Sequence, residues 1–250
     1  MSTTLSALGD LANSESSPVN LSSLAFTHVH YDPDDLFSQC QAYISLVPQA
    51  MCVMYGTLII SRREAETIML LGGQVLSEIA NLILKQLFKE ERPSYEQHGI
   101  ANELGYGMPS AHAQFMAFFT TYVTLWMYFR ARHFSRRKRL LRLIFLLTLS
   151  GLVCYSRIYL YYHSVKQVLV GAVVGVVLGS GWLLVTATIR EIGLLDYILD
   201  WGIVKWFYIK DTSQYRSYIR DEYYQWSIGR KSFLGYDSNS SYYKKERKWR

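Results

Sequence analysis

The chain has 250 residues, half of them apolar and 15% aromatic, with a formal net charge of +6, figures that point to one membrane-embedded domain with short extensions rather than several soluble ones. Cys40, Cys52 and Cys154 show no paired spacing, which speaks against a disulfide framework and against a metal site. The basic residues sit beside apolar segments instead of on a soluble face, so a membrane surface, not nucleic acid, is their expected partner.

Residues 1–41 are rich in Ser, Asp and Asn and hold no Lys or Arg. A charged n-region followed by an apolar h-region is missing, and no cleavable signal peptide is expected. Five apolar stretches follow, each near the roughly 20 residues a bilayer requires: 42–60, 67–88, 112–129, 140–162 and 165–188. The expected architecture is all-α, a polytopic transmembrane bundle of about five spans. Gly171, Gly175 and Gly179 are spaced by four in the last span, a stripe of small residues that lets a neighbouring backbone come close.

Arg62-Arg63 follow the first span, and Arg130, Arg132, Arg136, Arg137, Lys138, Arg139 and Arg142 crowd the connection between the third and fourth. Basic loops stay on the cytosolic side. This places residues 1–41, the connection between the second and third spans, and the turn between the fourth and fifth on the opposite side. Residues 189–250 are then a cytosolic C-terminal segment, in which Leu194 to Phe207 read as an interfacial amphipathic helix interrupted by Asp196, Asp200 and Lys205. Residues 238–250 form a polar, basic tail of the kind attracted to anionic lipid. Asn20-Leu21-Ser22 is a glycosylation sequon on the non-cytosolic side; Asn239-Ser240-Ser241 matches too, but on the side where it would go unused.

Three short segments at the non-cytosolic edge carry nearly all the remaining ionisable residues near the membrane. Lys85 ends the second span with Arg92-Pro93 just beyond, so two cations converge at one edge, although either alone could be a cation that snorkels to the headgroups. Pro109-Ser110-Ala111-His112 opens the third span. There Ser suits an N-cap, and free backbone N–H groups together with the macrodipole favour an anion. Ser156-Arg157 and His163 close the fourth; the guanidinium fork can hold phosphate oxygens and a neutral imidazole can attack phosphorus. Glu78, Asn81 and Lys85 share one helical face at about 3.6 residues per turn, with Glu78 and Asn81 expected to steady Lys85 or the helix contacts. Tyr159, Tyr161 and Tyr162 are expected as interface anchors or as the lining of a lipid entrance.

Lys-x6-Arg-Pro, Pro-Ser-x-His and Ser-Arg-x5-His, in this order and at membrane edges, resemble the type 2 phosphatidic acid phosphatase (PAP2) family. Ala111 stands where Gly is more usual. The resemblance implies a metal-independent, cofactor-free, two-step phosphoryl transfer on a helical membrane core at residues 42–188. In it His163 is the nucleophile, His112 the acid and then the base for water, and Lys85, Arg92, Ser110, Ala111 and Arg157 the phosphate cradle. Such roles suit chemistry that is mostly positioning and cationic stabilisation.

The family's pattern has an Asp four residues after the second His; this chain has Gln167, which can accept the ring N–H but cannot neutralise an imidazolium. Gln at that place is a mark of the dolichyl diphosphate phosphatase branch. That branch is resembled also at Thr27-His28-Val29, Thr57-Leu58-Ile59-Ile60, Leu71-Gly72-Gly73, Tyr106-Gly107-Met108, Gln114-Phe115-Met116, Tyr155-Ser156-Arg157 and Lys210-Asp211-Thr212-Ser213. It implies hydrolysis of a lipid diphosphate, dolichyl diphosphate, at the luminal leaflet of the endoplasmic reticulum. A broader lipid phosphate phosphatase and a non-catalytic scaffold are the rival readings.

Overall fold

The computed structural model describes residues 22–24, 29–93, 105–130, 135–212 and 218–233; Asn20, Arg132, Asn239 and the 238–250 tail lie outside them. A short antiparallel pair, β1 (Ser22–Leu24) and β2 (Val29–Tyr31), precedes the first helix. Asp35 caps α1 (Leu36–Ser45) by accepting from Phe37 N at 2.9 Å. Pro48 follows within the first turn of α2 (Val47–Arg62), and its missing N–H cannot continue the ladder to Ile44, which breaks the helix at Leu46. The first expected span is therefore a pair of helices that starts six residues earlier than the apolar run alone suggests.

Left-handed Arg63 turns the chain into α3 (Ala65–Phe88). Next come α4 (Ala111–Phe129), α5 (Arg136–Tyr159) and α6 (Val165–Glu191). Ser135 caps α5 through Lys138 N at 3.5 Å, and Ser164 with Gln167 forms a reciprocal capping box on α6. The fourth span thus runs from 136 to 159 rather than 140 to 162, because the capping Ser lets the helix begin among the arginines.

Residues 36–62, 65–88, 136–159 and 165–191 are long and apolar enough to cross a membrane. α4 carries His112, Gln114 and several Thr and Tyr residues among its apolar ones and sits in the centre of the bundle, packed on α3, α5 and α6. Its Gln114, Thr120 and Tyr122 are buried against other helices, and a span lined by protein can carry polar groups that a lipid-facing one cannot. The outward faces of the other helices are apolar, with Ile83, Phe145, Val177 and Leu184 all exposed, as a lipid-facing surface requires. Inside, Tyr55, Leu70, Phe118, Tyr122 and Leu183 form one core cluster and Met51, Met116 and Val153 a second.

α4 and α6 make the closest helix contact. A Cβ on Gly171 would come within 2.6 Å of Ser110 O, one on Gly179 within 2.8 Å of Phe118 O, and one on Gly175 would strike Gln114 O. The glycine stripe thus lets two backbones touch along three turns.

At one end of the bundle, Glu66 on α3 pairs with Arg190 on α6 at 2.5 Å and accepts from Tyr122 on α4 at 2.7 Å. Near it the chain after α6 is divided into α7 (Leu194–Leu199) and α8 (Gly202–Trp206), in place of the single amphipathic helix expected. Gly193, at φ 74°, turns the chain ahead of α7, and an extended Trp201 caps α8. The backbone then pairs with the α2–α3 turn, Lys210 N donating to Arg63 O at 3.0 Å and Ala65 N to Lys210 O at 2.9 Å. Residues through Lys210 form one compact unit. The remainder, with α9 (Tyr218–Phe233), forms another.

Candidate active site

All three motif segments meet at the end of the bundle opposite Glu66. Left-handed Lys89 stops α3 and releases residues 90–93; the chain returns at Gly105 and enters α4 through the cis Met108–Pro109 peptide bond. Gly107 N donates to Glu90 O at 2.7 Å and Ser110 N to Gln167 O at 3.1 Å, so the three segments are joined by backbone hydrogen bonds before any side chain is considered.

His163 is buried in the α5–α6 connection, 3% exposed, with its own N–H donated to Arg157 O at 3.1 Å. Its Nδ1 lies 3.2 Å from Gln167 Oε1. Which of the two is the donor follows from the surroundings of Gln167. Its Nε2 donates to Glu91 O at 2.8 Å and to Glu90 Oε1 at 3.3 Å, while Oε1 accepts from Ser164 N at 3.3 Å. Two oxygens on one side and an N–H on the other leave a single orientation for the amide, so the oxygen faces the ring and Nδ1 carries the proton. The lone pair is then on Nε2. Burial, with Arg157 and Arg92 adding to it, pushes the imidazole down to about 2, and the neutral Gln167 does little to oppose them. The ring is held neutral.

Arg157 is buried, and its guanidinium lies 4.0 Å over the ring of Tyr162, a cation–π contact that holds the fork flat. Its Nε has no hydrogen-bond partner among the described residues, and neither has the buried Ser110 Oγ. Ser110 stands at the N-cap position of α4, yet its hydroxyl caps nothing. Buried donors without acceptors, beside an uncapped helix start at Ala111, are what an absent anion would satisfy. Arg92 donates to Gly105 O at 3.2 Å and to Tyr162 O at 3.4 Å. Lys85 lies where the charges of Arg92, Glu78 and Arg157 reach it. Three cations thus gather with one carboxylate near them, and Glu78 is on the exposed side of α3.

Of the two supporting roles expected for Asn81, the helix contact is the one formed. Its Nδ2 donates to Gln114 Oε1 at 2.8 Å and to Pro109 O at 3.4 Å, while Gln114 Nε2 donates to Ser77 O at 2.6 Å. It steadies the start of α4 rather than Lys85. His112, in the first turn of α4, has the Gln49 amide 3.4 Å from its Nε2. That amide, turned so that its nitrogen donates to Ser45 O and Leu46 O at 3.2 and 3.1 Å, offers its oxygen to the ring. Of the three tyrosines, Tyr161 is exposed, Tyr159 donates to Asp35 at 2.6 Å, and Tyr162 is buried under Arg157 instead of facing lipid.

Gln49 and Glu90 are the residues beside the candidate site that spacing did not single out. Gln49 lies in an apolar run and Glu90 in a polar stretch; only the tertiary fold brings either near a histidine.

The model of the PAP2 superfamily matches residues 66–191, from α3 to the end of α6 and through all three segments. The chain belongs to the PAP2 superfamily. Its relatives include the putative dolichyldiphosphatase of Neurospora crassa, 37% identical over 76% of this chain and 86% of the relative. Dolichyldiphosphatase 1 of Homo sapiens is 38% identical over 82% of this chain and 88% of its own, and the dolichyldiphosphatase of Saccharomyces cerevisiae 38% identical over 74% and 79%. A PAP2 fold is also seen in a solved structure, a transmembrane PAP2-type phosphatidylglycerolphosphate phosphatase from Bacillus subtilis. It has a TM-score of 0.50 at 21% identity and covers 62% of this chain and 77% of that one. The likeness is one of fold: a PAP2 helical membrane bundle.

Proposed function

We propose that this PAP2 protein hydrolyses dolichyl diphosphate to dolichyl phosphate and inorganic phosphate at the luminal face of the endoplasmic reticulum, returning the lipid carrier to protein N-glycosylation. The class of reaction is supported by one observation above the rest: a buried imidazole with Nδ1 turned to Gln167 Oε1, held neutral by burial and the charges of Arg157 and Arg92, with Arg157 Nε lacking an acceptor among the described residues. The lipid is supported by the relatives, which carry the dolichyldiphosphatase name across most of their length.

In this reading the terminal phosphoryl group sits among Arg157, Arg92, Lys85, Ser110 Oγ and the free amides at Ala111 and His112. His163 Nε2 attacks the terminal phosphorus, the bond from phosphorus to the bridging oxygen breaks, and His112 protonates that oxygen as dolichyl phosphate leaves. His112 then takes a proton from water, which attacks the phosphohistidine and frees phosphate and His163. The cations stabilise charge on the equatorial oxygens in both steps. The luminal orientation is supported by the basic loops: Arg63 and Arg136 to Arg142 lie at the end of the bundle away from the histidines, where positive residues mark the cytosol. The C-terminal segment falls on that cytosolic side.

The test is phosphate release by detergent-solubilised protein from dolichyl diphosphate, dolichyl phosphate and phosphatidate in parallel, with EDTA present, beside the His163→Ala variant. Preference for the diphosphate, lost by at least about 10³-fold in the variant, is expected. Equal turnover of phosphatidate would make the protein a broad lipid phosphate phosphatase, and no turnover of any lipid would leave a scaffold.

A further inference from the structure

We infer that Glu90 is the carboxylate that orients and polarises His163, acting through the Gln167 amide. The inference deepens the phosphohistidine reading and rests on it.

In the pattern this chain departs from, an acid sits directly on the imidazole. Here the position holds a neutral amide, and the geometry moves the acid one bond further out. Nδ1–H of His163 donates to Gln167 Oε1 at 3.2 Å, and Nε2–H of Gln167 donates to Glu90 Oε1 at 3.3 Å. An amide between a donor and a carboxylate is polarised by both, its oxygen becoming a better acceptor as its N–H group gives to a negative charge. The negative end of the chain His163, Gln167, Glu90 is therefore Glu90.

Three features show a built arrangement. The other N–H of Gln167 is taken by Glu91 O at 2.8 Å, so the amide cannot turn. Gly107 approaches so closely that a Cβ there would come within 2.7 Å of the amide, and no bulkier residue could share the space. Glu90 itself is tied by its backbone oxygen to Gly107 N at 2.7 Å and by Oε2 to Lys166 Nζ at 2.9 Å. Lys166 is the charged side chain that pairs with it, and the hydrogen bond from Lys166 holds the carboxyl below the usual carboxylate range. The acid is ionised. Its side chain is 31% exposed, so solvent screens it and the effect on the reaction is modest.

The charge matters most when the imidazole becomes positive, which happens as Nε2 bonds to phosphorus. Glu90 is a positioning residue in this sense, touching neither substrate nor the reacting atoms.

Replacing Glu90→Gln keeps an oxygen to accept from Gln167 and removes only the charge. We expect kcat for the lipid diphosphate to fall roughly tenfold with KM little altered, within the range of couplings between residues in contact. Lys166→Gln, which removes the exposed end of the same ion pair but leaves the carboxylate, should keep kcat. An ion pair that only braced the fold would make the two variants lose activity alike, and that result overturns the inference, as does full activity in Glu90→Gln. A second arm covers a Glu90→Gln protein that folds poorly. In a Gln167→Asp background the acid is back on the ring and Glu90 is redundant, so adding Glu90→Gln should cost less than about twofold; a full tenfold loss there sinks the idea. His163→Ala is measured alongside. Turnover surviving in His163→Ala refutes the phosphohistidine itself, whereas an inert His163→Ala beside a fully active Glu90→Gln refutes only the role of Glu90.

Discussion

Charged side chains are buried at both ends of this bundle, and the two ends treat them in opposite ways. At one end Arg190 meets Glu66 at 2.5 Å, and the same carboxylate accepts from Tyr122, so cation, anion and hydroxyl are joined across α3, α4 and α6. At the other, Arg157, Arg92 and Lys85 converge with Glu78 on the exposed side of α3, and Arg157 Nε and Ser110 Oγ have no acceptor among the described residues. Burying a charge without a partner is costly. The ion-paired end ties three helices together, and the end where cations gather is the one that serves the substrate in the proposed function.

The contrast is broken most severely at the paired end. Arg190→Met strands the Glu66 carboxylate inside the bundle and should cost about 3–5 kcal/mol, read as a lower thermal midpoint in detergent, while kcat of the surviving protein stays near normal. Glu66→Gln added to Arg190→Met should recover much of the loss. At the end where cations gather the currency is rate. Arg157→Met should lower kcat by about 10²–10³-fold, the scale of losing one preorganised donor, and leave the thermal midpoint level or higher, since a repelling cation is gone. Added inorganic phosphate should raise the midpoint of the parent protein and leave that of Arg157→Met unmoved, because only an anion held by the cradle stabilises by mass action. Equal stabilisation of both would remove the distinction between the ends.

Acid offers a subtler probe. Folded His163 resists protonation down to about 2, whereas an unfolded histidine takes up its proton near 6.5. Between those values the unfolded chain binds more protons, so the contribution to stability is present above about 6.5 and is lost as the pH falls. The slope is at most about 1.4 kcal/mol per pH unit for one group. His163→Gln should show a shallower decline in thermal midpoint between pH 7 and pH 5 than the parent protein; identical slopes would mean that the ring is not held neutral. The smallest effect expected is from Tyr122→Phe. It deletes one hydrogen bond to Glu66 and should cost about 1 kcal/mol in stability with no change in kcat.

The segments of the candidate site were legible in the sequence because phosphate chemistry uses few residue types and the chain places them at span ends. Lys85, Arg92, Ser110, His112, Arg157 and His163 could be picked out by type and spacing, and the structure draws the segments that carry them to one end. What could not be read depends on contacts between distant segments. Nothing in the local sequence ties Gln49 to His112, and Glu90 resembles any acid in a turn until Gln167 is seen to point at it. Tyr162 looked like an interface anchor because aromatics collect there, but Arg157 draws its ring inward. Element boundaries depart from the apolar pattern where local geometry overrides apolarity. Pro48 splits the first span, Ser135 starts α5 among charges, and α7 and α8 replace one amphipathic helix. α4 is the reverse case: a central helix can carry Gln114, Thr120 and Tyr122 because protein, not lipid, surrounds them.

The pairing of Lys210 with the turn between α2 and α3 bears on the order in which the molecule is assembled. Ribosomes deliver the N-terminal helices first, and domains tend to fold as they emerge. Yet the amide of Ala65 and the carbonyl of Arg63 are paired with Lys210, so the turn after α2 waits for a segment of this unit translated well after it. The chain after α6 thus closes back on the first turn between membrane-crossing helices.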